Sequence, residues 1–326
     1  MTADRFADRP RPPVLVITGP TASGKSGFAL EVARAWGGTV INADSMQVYR
    51  ELRVLSDRPT AEAEAAAPHR LYGVVPARDP CTAQRWRGWA LHEVDAAHAQ
   101  GRLPILVGGT GLYLRAFLQG LAPVPDVPKA IRRGVRRLQH DAGPAGLRRA
   151  LSQEDPAMAG RLNPDDGQRQ ARALEVIRAT GRSLADWQAE VHPASTAYDV
   201  LTLAALPPRT PLYREIDDRL ARMCATGGLA EVQALLDQDL PADVPAMKAV
   251  GVPQLAGYLR GEESYQTALA KAQQATRQFA KRQLTWLRTQ TPKDADKAAI
   301  VHAQFSKSAQ ALLFNEIREF ILTTQP

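Results

Sequence analysis

The chain has 326 residues, 44% hydrophobic and 23% charged, with a formal charge of +7; this composition supports a buried core and excludes a wholly disordered chain. No apolar run approaches the ~20 residues that cross a bilayer, and Cys81 and Cys224 stand far apart outside any CxxC spacing, which supports neither a disulfide framework nor a zinc site. The basic excess suits a polyanionic partner.

Met1–Pro13 is polar and proline-rich without an apolar signal segment, so it reads as a flexible lead on a cytoplasmic protein. The first element follows as a strand, Val14–Ile17, then Gly19-Pro20-Thr21-Ala22-Ser23-Gly24-Lys25-Ser26, then a helix patterned by Phe28, Leu30, Val32 and Ala33. Strand, G-x-x-x-x-G-K-[ST] loop and helix together form a phosphate-binding unit, in which backbone N–H groups and a helix N-terminus face an anion. Lys25 adds a point charge, and the Ser26 hydroxyl is placed to reach Mg²⁺. A second strand, Thr39–Asn42, delivers Asp44 to the same crevice if the sheet is parallel. An acid there can act as a base, although an aspartate just after a strand also serves as a turn or cap residue.

Kinases, ATPases and GTPases share such a loop. The next strand, Leu103–Val107, ends in Gly108-Gly109-Thr110-Gly111 with no carboxylate to help hold Mg²⁺, and no Asn-Lys-x-Asp segment reads guanine. A GTPase is therefore disfavoured, while a small-molecule kinase stays open. Pro123, Pro125 and Pro128 then break the chain before helical patterns from Ile131 to Ala189, and Pro193 precedes a strand, Val200–Leu206. The remainder reads as helices over Leu212–Cys224, Leu229–Asp237, Val252–Leu259 and Tyr265–Leu287, with an amphipathic tail segment Ala309–Leu322. The expected fold is α/β: a P-loop NTPase-like parallel sheet flanked by helices, formed by 14–122 and 200–326, with an all-helical insertion domain at 123–199.

An ordered series of motifs resembles the tRNA dimethylallyltransferase (tRNA isopentenyltransferase) family. It comprises the Gly19–Ser26 loop, Asp44-Ser45-Met46-Gln47-Val48-Tyr49, Leu103–Leu114 and Gln168-Arg169-Gln170-Ala171-Arg172, then Arg214–Met223 and Thr276–Trp286. The resemblance implies transfer of a dimethylallyl group from dimethylallyl diphosphate to N6 of adenosine 37, beside the tRNA anticodon. It implies Asp44 as general base, with Thr21, Lys25 and Arg219 on the diphosphate and Mg²⁺ near Ser26. The tRNA-contacting set it implies is Asp44, Ser45, Met46, Gln47, Thr110, Gln168, Arg169, Gln170, Ala171, Arg172, Arg277, Lys281 and Arg282. Thr110 lies where the base enters, and the insertion grips the anticodon stem-loop. Base flipping is expected for chemistry on a stacked base, no membrane partner is implied, and a monomer is the default. Taken without the resemblance, Arg219 equally suits a helix ion pair with Glu215.

The chain departs from the family pattern at Ser56-Asp57-Arg58-Pro59-Thr60, where many members have Gly-Thr-Ala-Lys-Pro, at Gly73, where an acid is expected downstream of Pro68-His69-Arg70-Leu71, and at Val252-Pro253 in place of Tyr-Arg. His69 is accordingly not a catalytic candidate.

Overall fold

The computed structural model describes residues 10–190, 197–291 and 298–323. These form two compact units, one comprising residues up to 118 together with those from 195 onward, the other 119–194. The first unit opens with β1 (Pro13–Thr18), α1 (Lys25–Trp36), β2 (Gly38–Asn42), α2 (Ala61–Ala66), β3 (His69–Arg70), α3 (Ala83–Ala99), β4 (Leu103–Gly108) and α4 (Gly111–Gln119). The second unit holds α5 (Lys129–Glu154), α6 (Pro156–Arg161), α7 (Gly167–Thr180) and α8 (Leu184–Ala189). The chain then returns through β5 (Asp199–Ala205), α9 (Arg209–Met223), α10 (Leu229–Leu236), α11 (Val252–Leu259), α12 (Tyr265–Gln290), β6 (Ala298–Val301) and α13 (Lys307–Thr323).

The sheet has six strands in the order β3-β2-β4-β1-β5-β6, and every pairing is parallel. β1 and β4 lie inside it and are buried along their whole length, which is why they read as continuous apolar runs rather than alternating ones. Helices cover both faces: Phe28, Val32, Phe305 and Ile317 pack with Leu15, Ile17 and Leu203 on one, while Trp86, Val94, Leu114 and Leu220 pack with Val14, Val16 and Leu106 on the other. Because β1, β2 and β4 run the same way, the loops after Thr18, Asn42 and Gly108 open at one edge of the sheet, the usual ligand crevice of such folds.

Two expected boundaries move. Pro13 belongs to β1 and pairs with Asp199 of β5, so the lead stops short of Pro13 and the insertion does not extend to 199. Residues 1–9 of the lead and Pro193 lie outside the described residues. The second unit packs around Val135, Leu147, Leu151, Met158, Ala173 and Leu174. Its long helix α5 is broken at Gly143, whose φ of 62° reverses the chain before Pro144, a residue that could not sit in an uninterrupted helix. Among the described residues no helix is long and apolar enough to cross a membrane.

Candidate functional site

The phosphate loop leaves β1 at Gly19 and enters α1 at Lys25. Its conformation needs glycine twice: the loop folds back on itself so that a Cβ on Gly19 would lie 2.5 Å from Ser23 Oγ, and Gly24 has a φ of 81°. Ala22 also adopts a left-handed φ of 64°, a conformation that costs a residue with a side chain about 1 kcal/mol or more. Contacts from the C-terminal segment hold it there: Gln304 Nε2 donates to Ala22 O at 2.9 Å, and Phe305 N donates to Ser23 O at 2.9 Å. Phe305 also stacks on Phe28 of α1 at 4.9 Å.

Lys25 turns back over the loop, 3.5 Å from Pro20 O. Burial lowers its pKa from the ordinary lysine value; the fields of Asp44 and Asp57 work against that fall and the field of Arg219 adds to it. Asp44 sits in a turn fixed at both ends, its N–H donating to Asn42 Oδ1 and its Oδ1 accepting from Met46 N, each at 2.8 Å. The other carboxylate oxygen has no hydrogen-bond partner among the described residues. Asn42 is itself tied to Leu71 O and Asp44 O, so Asp44 stands on a buried, hydrogen-bonded footing.

Arg219 projects from α9 and donates through Nη2 to Thr21 Oγ1 and through Nη1 to Asp57 Oδ2, the latter at 2.6 Å. The alternative pairing with Glu215 is not made; Glu215 takes Arg222 instead, at 2.9 Å. Thr21, Lys25, Ser26, Asp44, Asp57 and Arg219 line a cavity of about 270 Å³. Leu52, Leu55, Ile216, Leu220, Met223 and Phe279 form its apolar walls, with Ser45, Met46, Gln47, Lys248 and Arg282 also on its surface. A larger, more open groove of about 690 Å³, lined by Arg34, Gly37, Ala66, Arg70 and Arg102, contains none of the candidate residues.

Thr110 is not on the cavity surface; its Oγ1 accepts from Ser45 N at 3.0 Å, bracing the Asp44 turn from behind. On α12, Arg277 pairs with Asp217 at 2.6 Å, Lys281 is exposed, and Arg282 reaches the cavity. On α7, Gln168 and Arg169 are exposed, Arg169 pairs with Asp166 at 2.5 Å and Arg172 with Glu175 at 3.6 Å. Gln170 departs from its expected place on a nucleic-acid surface. It is buried, and its amide nitrogen is spent on Asn163 O and Pro164 O at 3.0 and 2.7 Å. Its neighbour Ala171 packs against the core of the second unit. His69 rests on Ala67 O, outside the cavity.

The sequence reading missed Asp57, Gln283 and Gln304. Gln283 is buried on α12, accepts from Thr21 N at 2.8 Å and donates to Gly109 O at 3.0 Å. Only the placement of a polar residue among the apolar positions of α12 hinted at it.

A model of the IPP transferase family matches residues 47–290. A Rhodospirillum rubrum protein named tRNA dimethylallyltransferase is 50% identical over 322 residues, covering 98% of this chain and 98% of that one. The Rhodospirillum centenum protein of the same name is 51% identical over 279 residues, 85% of this chain and 89% of its own. Among solved structures, the full-length tRNA isopentenylpyrophosphate transferase of Bacillus halodurans matches with a TM-score of 0.68 at 28% identity, covering 96% of this chain and 97% of that one. By this match over nearly its whole length, the chain belongs to the IPP transferase family of tRNA dimethylallyltransferases.

Proposed function

We propose that this chain transfers a dimethylallyl group from dimethylallyl diphosphate to N6 of adenosine 37 in tRNA, releasing diphosphate. The observation that carries this reading is a single cavity whose lining joins two kinds of surface: the phosphate-loop residues Thr21, Lys25 and Ser26 with Arg219, and the apolar Leu52, Leu55, Ile216 and Phe279. A diphosphate suits the first and a five-carbon chain the second.

The exocyclic amine of adenine is a poor nucleophile because its lone pair is delocalised into the ring. The donor must therefore develop allyl-cation character as its C1–O bond breaks and the electron pair leaves with the diphosphate. Loop N–H groups, Lys25 and Arg219 stabilise that growing charge where it appears, an effect strengthened in a site with few waters. Leu52, Leu55, Ile216 and Phe279 keep water from the electrophile. As the N6–C1 bond forms, the N6 proton passes to the free oxygen of Asp44.

Mg²⁺ fits the donor set. Ser26 is exposed on the cavity surface beside Lys25, and Mg²⁺ commonly takes one or two protein oxygens with the rest from substrate phosphates and water. Ser26 would hold the ion, which when bound would neutralise charge on the departing diphosphate. The target base would leave its stack to reach Asp44. Lys281 and Arg282 on α12, and Gln168, Arg169 and Arg172 on α7, would meet the phosphates and loop bases of the anticodon arm.

Incubation of the protein with unmodified tRNA, Mg²⁺ and labelled dimethylallyl diphosphate, followed by nucleoside mass analysis, tests the reading. One dimethylallyl group on adenosine 37, lost with Asp44→Ala, is expected; no modified nucleoside on any tRNA would sink it.

A further inference from the structure

The Asp57 carboxylate sits on the cavity surface against Arg219. It touches Arg219 Nη1 at 2.6 Å, while Arg219 Nη2 holds Thr21 Oγ1. Each terminal nitrogen of the guanidinium thus gives one of its two N–H donors to a protein oxygen, and these nitrogens form the end-on fork with which arginine takes an oxyanion bidentately. Asp57, Thr21 and Arg219 all line the cavity, as does Lys25 of the phosphate loop. A second anion arriving there meets a carboxylate on the same arginine, and two like charges at contact distance do not share one cation without cost.

The rest of the loop is fixed independently of that carboxylate. Glu231 accepts from three successive amides, Arg53, Val54 and Leu55, at 2.8, 2.5 and 3.0 Å. Gln47 Nε2 donates to Ser56 O and to Asp57 O, both at 2.8 Å. The Asp57 side chain can therefore swing away from Arg219 while its backbone stays anchored. It is half exposed, so water can receive the freed carboxylate, whereas Arg219 is 19% exposed and stays in the cavity wall.

We propose that Asp57 is a displaceable counter-ion for Arg219: it neutralises the arginine in the empty site, yields it to the incoming diphosphate, and competes for it again as the product diphosphate leaves. The inference rests on the reading of this cavity as a diphosphate site. Its consequence is that Asp57 weakens diphosphate binding and favours release, setting the affinity for donor and product together.

The substitution Asp57→Asn tests this with little disturbance. Asparagine accepts the left-handed backbone that Asp57 adopts, with its φ of 57°, and the Gln47 bonds go to carbonyls that remain. Titration of inorganic diphosphate with Mg²⁺ into the full chain, read by calorimetry, compares wild type, Asp57→Asn and a control, Asp217→Asn, which removes the Arg277 ion pair outside the cavity. Asp57→Asn is expected to bind diphosphate about 3–10-fold more tightly, with Asp217→Asn unchanged. Equal or weaker binding by Asp57→Asn, with wild-type binding intact, overturns the inference and leaves the diphosphate reading standing. An equal gain in Asp217→Asn also overturns it, by assigning the effect to net charge. Absence of diphosphate binding by wild type overturns the site reading and the inference with it.

Discussion

Gln283 ties Thr21 of the phosphate loop to the end of β4: its Oε1 accepts the Thr21 amide hydrogen at 2.8 Å while its Nε2 donates to Gly109 O at 3.0 Å. One buried amide on α12 thus sets the spacing between the two loops that frame the site. Replacing it by leucine leaves the buried Gly109 carbonyl unpaired, at about 1–3 kcal/mol, and frees the partly buried Thr21 N–H at a smaller cost. Gln283→Leu is expected to lower the denaturation midpoint and to raise the KM for the donor more than it lowers kcat, because Thr21 loses its anchor. A variant of wild-type stability and KM would show that the bridge is dispensable.

The same contact explains why a side chain is excluded at Gly109. A Cβ there would stand 2.3 Å from Gln283 Nε2 and 2.9 Å from Gly19 O, so the glutamine or the loop must shift. Gly109→Ala is expected to destabilise by about 1–3 kcal/mol, and combining it with Gln283→Ala should recover part of the loss by removing the obstruction. Strict additivity of the two substitutions in a double-mutant cycle would contradict this.

These contacts mark the limit of what the sequence could disclose. The phosphate loop and the Asp44 turn are local: their chemistry lies within a few residues of a strand end, and both were legible. The strands β1 and β4 were legible for a related reason, since burial on both faces forces near-continuous apolar runs, and β2 and β5 were legible from shorter β-branched and apolar stretches, Val40-Ile41 and Val200-Leu201-Thr202-Leu203. By contrast, the partners of Thr21, Ala22 and Asp57 lie 262, 282 and 162 residues away, and no local periodicity encodes such meetings. β3 and β6 were missed because edge strands of two and four residues, half buried, carry too short a pattern. Phe279 lines the cavity, a place the sequence does not mark, since an aromatic residue on a helix has the same appearance in a core or on a cavity wall. Gln170 shows the converse: a polar residue inside a basic stretch looked like an RNA contact, yet its amide closes the turn before α7.

The C-terminal segment gives a third prediction. Gln304 reaches Ala22 O at 2.9 Å, and the backbone of Phe305 holds Ser23 O, so a peg beyond α12 supports the strained alanine of the loop. Gln304→Ala is expected to cost about 0.5–1.5 kcal/mol of stability and to weaken binding of inorganic diphosphate, leaving tRNA binding unchanged. Equal loss of both affinities would indicate general unfolding rather than a loop support. Ala22→Gly should lessen the dependence on Gln304, because glycine holds the left-handed backbone unaided.

Lys25 brings stability and function into opposition. Burial is the largest influence on it and holds its pKa below the ordinary 10.5, so the folded chain carries the ammonium at a cost that the unfolded chain does not. Between the folded pKa and 10.5 the unfolded state binds more protons, so this contribution to stability rises with pH through that window; below it the whole cost is present. Lys25→Met is therefore expected to be more stable than wild type at neutral pH, by about 0.5–2 kcal/mol, while losing transferase activity. The gap should narrow as urea unfolding is repeated at higher pH, where other groups cancel in the difference. Saturating diphosphate should reverse the order, because the bound anion supplies the charge that burial withholds from Lys25 and stabilises only the chain able to bind it tightly. A Lys25→Met chain less stable than wild type without diphosphate would show that packing and the Asp44 and Asp57 fields already outweigh the desolvation of the ammonium.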